Sequence, residues 1–421
     1  MLPLKFIREN VDLIKKNCEN RLVHVDVDQL LKLDLKRLNV LKELESLRSI
    51  RNSKSKTKPT PEIIDEMKEI GSKTKIYEEE IRELDAEIRI LLLAIPNLTH
   101  KDVVVSDNEV NNPVLEEVEI PKFDFIPKDH VELAESLDLI DFERGAKVAG
   151  NKFYYFKNEL AILELALSQY AMEILLKKGF TPFITPDVAQ NDMLENIGFI
   201  PRGENTQVYN LENTELSLIG TAEITMCAYH ADEILEGKNL PLKYAGLSHC
   251  FRTEAGSYSK YSKGIYRVHQ FSKVEMFVYC KEKDAEKLHN ELLEIQKEIF
   301  NGLSVPFRVV DHCTADLGGP SIRTFDLEAW MPGKPNSNGE MGDWGEITST
   351  SNCTDYQSRS ANIKYRKEDG SSDFVYTLNG TAISICRAII AIIENNQTKD
   401  GEILIPEVLQ KWMGKSIISK K

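Results

Sequence analysis

Between residues 30 and 91 the side chains repeat in alternating steps of three and four, and this periodicity constrains the fold more than any other feature. The first series runs Leu30, Leu33, Arg37, Val40, Leu44, Leu47, Arg51. The second runs Ile63, Met67, Ile70, Thr74, Tyr77, Ile81, Leu84, Ile88, Leu91. Such steps draw a narrow seam along a helix, and a narrow seam needs a second helix to cover it. Between the series lies SKSKTKPTPE, where Pro59 and Pro61 cannot continue the first helix. Pro61 suits the opening turn of the second, with Thr60 ahead of it as cap. The pattern predicts an antiparallel two-helix hairpin over residues 28–94 with its tip at 52–61. Each arm is then roughly 40–50 Å long at about 1.5 Å per residue.

The tip is basic: Arg51, Lys54, Lys56 and Lys58 meet no acidic residue along the chain until Glu62. The whole chain has a formal net charge of −14, which favours solubility and disfavours indiscriminate nucleic-acid binding. A basic tip on a long arm of an acidic protein is the charge segregation that a phosphate-backbone partner selects. A solvated loop that merely keeps the hairpin in solution accounts for the same residues.

The 421 residues suggest two or three domains. With 42% hydrophobic and 29% charged residues, the chain can bury a sizeable core. That excludes a mostly disordered protein, a collagen-like repeat and a small disulfide scaffold. No apolar run reaches the roughly 20 residues of a membrane-spanning helix. The opening MLPLKFIREN lacks the apolar segment and cleavage site of a secretory signal. The seven cysteines are scattered and form no CxxC pair, so they indicate reduced thiols rather than a zinc ribbon. A cytoplasmic protein without membrane association is expected.

On this reading residues 1–100 form the helical arm domain and 101–128 a proline-punctuated linker with one or two edge strands. Residues 129–421 form the second domain. There YAGLSHCFR, KVEMF, FVYC and FVYTL have strand character, and residues 160–178 and 284–300 have helical periodicity. Strands in clusters, without strict strand–helix alternation, predict an α+β fold with an antiparallel sheet and flanking helices.

No GxxxxGK[ST] loop and no GxGxxG turn is present, so any nucleotide phosphate must be held by side-chain cations. Residues 247–277 supply them as a long hairpin whose first strand carries Arg252. Arg267, His269, Phe271 and Glu275 follow at period two on the second strand, a spacing that places them on one face. That face is a poor core and a good binding surface, although an outward polar face with salt bridges has the same composition. His312 and Cys313 in DHCTADLGGP lack a second Cys/His pair at metal-site spacing, and a satisfied buried histidine is expected.

FRTEAG followed by RVHQFSKVEMF resembles the second motif of the class II aminoacyl-tRNA synthetases. Residues 173–188, with Pro186, resemble the first motif, and LNGTAISICRAIIAIIENNQ the third, with Arg387 in its expected place. GTAE at 220–223 is similar to the serine-specific TxE loop, and GEITSTSNCTDYQSR to a metal-and-ATP strand. With the hairpin, PNLTH and FDLEAWMPG, the resemblance runs collinearly along almost the whole chain and is to the seryl-tRNA synthetase family.

The resemblance implies ATP-dependent activation of L-serine to seryl-adenylate, then transfer to the 3′ end of tRNA(Ser). It implies Arg252 bridging the serine carboxylate and the α-phosphate, and Arg387 on the γ-phosphate. Thr253, Glu254, Arg267 and Val268 are implied at the ATP, with Phe271 stacked on adenine. The strand Glu346, Ile347, Thr348, Ser349 is implied at ATP too, with Glu346 and Ser349 as Mg²⁺ ligands. Thr221, Ala222, Glu223, Glu275 and Thr381, with Arg252, are implied to select serine. Further implied partners are a second copy of the chain, through the first motif, and tRNA(Sec) as an additional acceptor.

Two departures from the family pattern stand out. GTAISICR replaces the GSGLAVGR of many bacterial relatives, changing packing at Ala382, Ser384 and Cys386 while Thr381 keeps a hydroxyl. Lys260 and Lys263 replace an arginine in a loop that meets the acceptor end of tRNA. Two other readings are a ligase that charges a carrier protein and a non-catalytic tRNA-binding paralogue. The complete arm opposes the first, and the intact set Arg252, Glu346, Ser349 and Arg387 opposes the second.

Overall fold

The computed structural model describes residues 1–56, 60–199, 207–255 and 261–420. It divides into two compact units, Met1–Leu98 and Thr99–Lys421.

In the first unit, helices Val27–Lys54 and Pro61–Ala94 form an antiparallel hairpin. Asp26 caps the first, its carboxylate accepting from the Gln29 amide at 2.8 Å. Thr60 Oγ1 accepts from the Ile63 amide at 3.4 Å, and Pro61 opens the second helix. Along the seam Leu30, Leu44, Ile70, Thr74, Leu84 and Ile88 are buried. The intervening seam positions are half-buried, and only Arg51 is exposed. Cross-arm ion pairs, including Arg48 Nη2 to Glu78 Oε1 at 2.9 Å and Lys36 Nζ to Glu80 Oε1 at 2.8 Å, run up both sides. Exposed pairs of this kind add little stability. The seam holds the arm, and the pairs help set its register.

The second unit is built on one eight-stranded sheet. Its strands in chain order are β1 (Val114–Glu117), β2 (Thr181–Ile184), β3 (Leu242–Phe251) and β4 (Gln270–Cys280), then β5 (Phe307–Asp311), β6 (Arg323–Pro335), β7 (Met341–Thr354) and β8 (Tyr376–Ser384). Their spatial order is β1-β5-β6-β7-β8-β4-β3-β2, and every neighbouring pair is antiparallel except β2 with β3. The α+β expectation holds. β1 is the edge strand anticipated in the linker, and the FVYTL segment is interrupted, since Phe374 ends one short strand and Tyr376 begins β8. Among the described residues no helix is long and apolar enough to cross a membrane.

Strand β4 shows how the sheet divides its labour. Val274, Met276 and Val278 point into the main core, where helices Asn158–Lys177, Ala285–Gly302 and Ile385–Asn395 supply Leu163, Ile295 and Ile389. Phe277 and Tyr279 point the other way, into a second cluster with Ile219, Ile224 and Ile363. Alternation along a strand then puts Phe271, Lys273 and Glu275 on that second face, ahead of the apolar stretch.

Two sequence expectations need correction here. β3 ends at Phe251, so Arg252 lies one residue beyond the strand, and β4 begins only at Gln270. Arg267 and His269 therefore precede the strand and do not share its period. The Arg252 amide donates to the His269 carbonyl at 3.0 Å, while the His269 amide donates to the Lys152 carbonyl at 3.3 Å. The His269 ring consequently packs against Phe153 and Tyr209, away from the β4 face.

Gly302 ends the helix that covers the main core, and a Cβ there would lie 2.0 Å from the Tyr170 hydroxyl. That hydroxyl donates to the Ile299 carbonyl at 3.2 Å. Gly302→Ala is expected to cost about 1–3 kcal/mol through overpacking. Adding Tyr170→Phe should recover part of the loss. Thermal unfolding of the three chains reads this directly, and a Gly302→Ala protein as stable as its parent would show that the crowding is relieved at no cost.

Candidate active site

The ends of β3 and β4, the middle of β7 and the start of helix Ile385–Asn395 converge on one cleft in the second unit. Arg252 enters it from the turn after β3. Its Nε donates to the Gly220 carbonyl at 3.3 Å, and its guanidinium lies 5.4 Å from the centre of the Phe271 ring. Glu254 follows in a left-handed conformation with φ of 52°. A non-glycine residue there costs of order 1–3 kcal/mol and persists where surrounding contacts impose it. One such contact is Arg267 Nη1 to Glu254 Oε2 at 3.3 Å. Val268 also lines the cleft, whereas Thr253 does not, its amide donating instead to the Gln207 carbonyl at 3.1 Å.

On the far side, Arg387 Nη1 lies 2.9 Å from Glu346 Oε1 and donates to the Glu346 carbonyl at 3.0 Å. Its guanidinium stacks 4.9 Å from the centre of the Tyr266 ring. Burial alone pushes the Glu346 carboxyl up, but contact with Arg387 and the charge of Arg252 outweigh it and hold it below the usual range. Ile347 and Thr348 complete this wall.

Glu346 and Ser349 are three residues apart, and a regular strand would aim them at opposite faces. The β6–β7 register prevents this. Ser349 pairs with Asp326 and Thr348 with Leu327, but Glu328 pairs with Glu346, so Ile347 is an extra residue in β7. The bulge turns both side chains to the face that carries Asp326. Asp326 is buried beside Ser349 and is held by His312, whose Nε2 lies 2.9 Å from Asp326 Oδ2. Burial works against charge on His312, yet Asp326 and Asp316 dominate and push its pKa up to about 10. The expected satisfied histidine is thus one arm of a buried ion pair.

A second set of polar groups lies on the β4 face. Glu275 Oε2 accepts from Thr381 Oγ1 at 3.2 Å and from Thr221 Oγ1 at 3.4 Å, and it contacts the Lys273 ammonium. Thr221 caps the short helix Ala222–Ala228, its hydroxyl also accepting from the Glu223 amide at 3.2 Å. Ala222 is fully buried against β3, where a Cβ at Gly246 would come 3.1 Å from its own. Glu223 Oε1 accepts from Gln357 Nε2 at 2.7 Å and from Asn379 Nδ2 at 3.0 Å. Burial, and then the neighbouring charge of Glu275, raise the Glu223 pKa to about 7.

Thr381 and Lys273 line the cleft, joining the Glu275 cluster to Arg252 and Arg387. The hairpin tip is less free than its sequence suggests. Lys54 pairs with Glu66 of the opposite arm, a partner twelve residues away that only the hairpin brings near. Arg51 and Lys56 are exposed, and Lys58 falls outside the described residues. Lys263 is exposed but paired, its ammonium held by Asp129, and Lys260 falls outside the described residues.

Residues that sequence reasoning passed over are Lys273, Gln357, Asn379, Asp326 and Tyr266. Lys273 carried a signal, since it stands midway between Phe271 and Glu275 at period two. Gln357 and Asn379 sit within motif-like stretches, but nothing local marks them as partners of Glu223. The raised Glu223 pKa has a measurable consequence. An acid whose pKa rises from 4.5 to about 7 on folding contributes stability below its unfolded pKa and loses it as pH climbs through 7. Glu223→Gln keeps the acceptor and removes the titration, so the variant should gain on its parent by about 2–3 kcal/mol between pH 4.5 and 7. Parallel stability–pH curves for the two proteins would contradict this.

Comparison with known proteins agrees with this geometry. Residues 1–99 match the family model Seryl-tRNA synthetase N-terminal domain, and residues 207–396 match tRNA synthetase class II core domain (G, H, P, S and T). A serine–tRNA ligase of Treponema denticola is 51% identical, with 98% of this chain and 99% of the relative covered. One from Dictyoglomus thermophilum is 47% identical with both chains covered completely. The crystal structure of seryl-tRNA synthetase from Pyrococcus horikoshii complexed with ATP matches the whole of both chains, with a TM-score of 0.88 at 39% identity. The chain belongs to the seryl-tRNA synthetase family of class II aminoacyl-tRNA synthetases.

Proposed function

We infer that this chain is a serine–tRNA ligase, joining L-serine to ATP as seryl-adenylate and then passing the seryl group to the 3′ end of tRNA(Ser). The single observation that supports it most is the meeting of Arg252 and Arg387 at one cleft, beside a buried carboxylate ringed by hydroxyls. Two anions must approach each other in the first step, so positioning and charge neutralisation dominate the barrier. Arg252 suits the junction because its planar fork binds oxygens of the serine carboxylate and the α-phosphate together. The carboxylate oxygen attacks phosphorus and pyrophosphate leaves, its γ-phosphate held by Arg387. Phe271 provides the adenine stacking face, with Glu254 and the Val268 backbone at the edge of the base.

Serine is read by Glu275, Thr221 and Thr381. An alanine side chain would leave those buried polar groups without a partner, which is how such sites reject isosteres. Glu346 and Ser349 offer a carboxylate and a hydroxyl on one face, a hard-oxygen set that fits magnesium. Among the described residues, the buried Asp326 Oδ1 has no hydrogen-bond partner, which adds to the fit. Mg²⁺ bound there would neutralise phosphate charge.

The arm is the tRNA-binding element, with Arg51 and Lys56 meeting phosphate. A twofold homodimer is favoured by the exposed apolar residues Ile162, Leu165 and Leu176 on helix Asn158–Lys177, and by Ile184, 88% exposed on edge strand β2. Apolar surface and an unpaired edge are what a symmetric partner covers.

Serine-dependent exchange of label between pyrophosphate and ATP tests the first step. It should proceed with the wild-type chain and fall by about 10²–10³ in Arg387→Ala. Exchange that ignores serine would overturn the assignment. Substituting Arg51 and Lys56 together by alanine should leave exchange intact, weaken tRNA charging and lower the salt slope of tRNA binding by about 2.

A further inference from the structure

Lys273 is a buried cation to which the preceding mechanism gives no task. It is 6% exposed, on the same face of β4 as Phe271 and Glu275. Its ammonium touches Glu275 Oε2 and donates to Thr381 Oγ1 at 3.3 Å. Thr381 in turn donates to Glu275, closing a triangle of three side chains on two neighbouring strands. The register holds the triangle rigidly, since Thr381 sits directly opposite Glu275 and Ser384 opposite Lys273. Lysine is rarely buried unless paired, because an uncompensated ammonium in the interior is costly.

The arrangement has a consequence for recognition. Glu275 and Glu223 are two buried carboxylates close enough for the charge of one to act on the other. Gln357 and Asn379 give Glu223 only neutral donors. Lys273 is the cation in contact with Glu275, and it lines the cleft that Glu275 itself does not. Without it, the carboxylate would keep, among the described residues, the Thr221 and Thr381 hydroxyls, and Thr381 would lose the donor that orients its oxygen.

We propose that Lys273 is a positioning residue for substrate selection, holding the Glu275 carboxylate and the Thr381 hydroxyl in the arrangement that reads the hydroxyl of the amino-acid substrate. The proposal rests on the serine-activation reading above. Lysine suits the role because its compact ammonium can donate to two oxygens on adjacent strands, where a planar guanidinium would need a wider space.

The test is pyrophosphate exchange with serine and with alanine, on the full chain, in Lys273→Met, Glu275→Gln and the double variant. Wild-type exchange tests the serine reading by itself, so the two claims fail separately. Lys273→Met should raise the KM for serine about tenfold or more and cut the serine-over-alanine preference by a similar factor. The KM for ATP should move less than about threefold, a split that general structural damage would not produce. Because Lys273 acts through Glu275, adding Lys273→Met to Glu275→Gln should worsen serine selection by less than about threefold. The double variant removes both charges of the Lys273–Glu275 pair together, so it carries the comparison if Lys273→Met alone does not fold. An unchanged serine preference, equal rises in both KM values, or multiplicative effects in the double variant would each overturn the proposal.

Discussion

Keeping two arginines at one cleft is the constraint on which the rest of the catalytic unit depends. Like charges repel, and burial penalises each, so Arg252 and Arg387 need separate means of support. Arg387 has the Glu346 side chain and carbonyl beside it and the Tyr266 ring beneath it. Arg252 rests on the Gly220 carbonyl and lies over Phe271. Each support comes from a different part of the sequence, and the antiparallel sheet is what brings them within reach. The strands on either side of the cleft, β7, β8, β4 and β3, are consecutive neighbours in space although their order along the chain is different.

The sheet manages this through small irregularities. A bulge at Ile347 rotates Glu346 onto the face of Ser349 and Asp326. A second interruption between Thr381 and Ile383 in the β8–β4 ladder leaves Thr381 opposite Glu275 while Ser384 comes opposite Lys273. A bulge re-aims a side chain without breaking the sheet, which is why such features gather next to active sites. The left-handed Glu254 belongs to the same group: local strain held by its ion pair with Arg267.

The arm works on different physics. Its charges are mostly exposed, and a buried seam of apolar side chains holds the two helices together. Pairing across the arms also consumes basic residues that look available in the sequence. Lys54 is one, and in the other unit Lys263 is held by Asp129. A cation counted from the sequence is free to meet phosphate only if no carboxylate reaches it in the fold.

Periodicity, proline placement and strand clustering were enough to predict the helical arm, its capped second helix and the α+β class, and motif resemblance singled out Arg252, Glu275, Thr381, Glu346 and Arg387 as candidates. These are local properties: a step of three and four, a proline after a cap, a run of alternating polar residues. The tertiary structure alone decided which of them touch. It moved His269 off the binding face, because hydrogen bonds from Arg252 and to Lys152 set its backbone before the strand begins. It gave Glu223 its raised pKa by burying the carboxyl and then by bringing Glu275 close. It also gave Lys273 its partners, because the register of two strands more than a hundred residues apart places Thr381 against Glu275. Alternation along one strand can be read from a sequence, but the offset between distant strands is set only when their side chains pack.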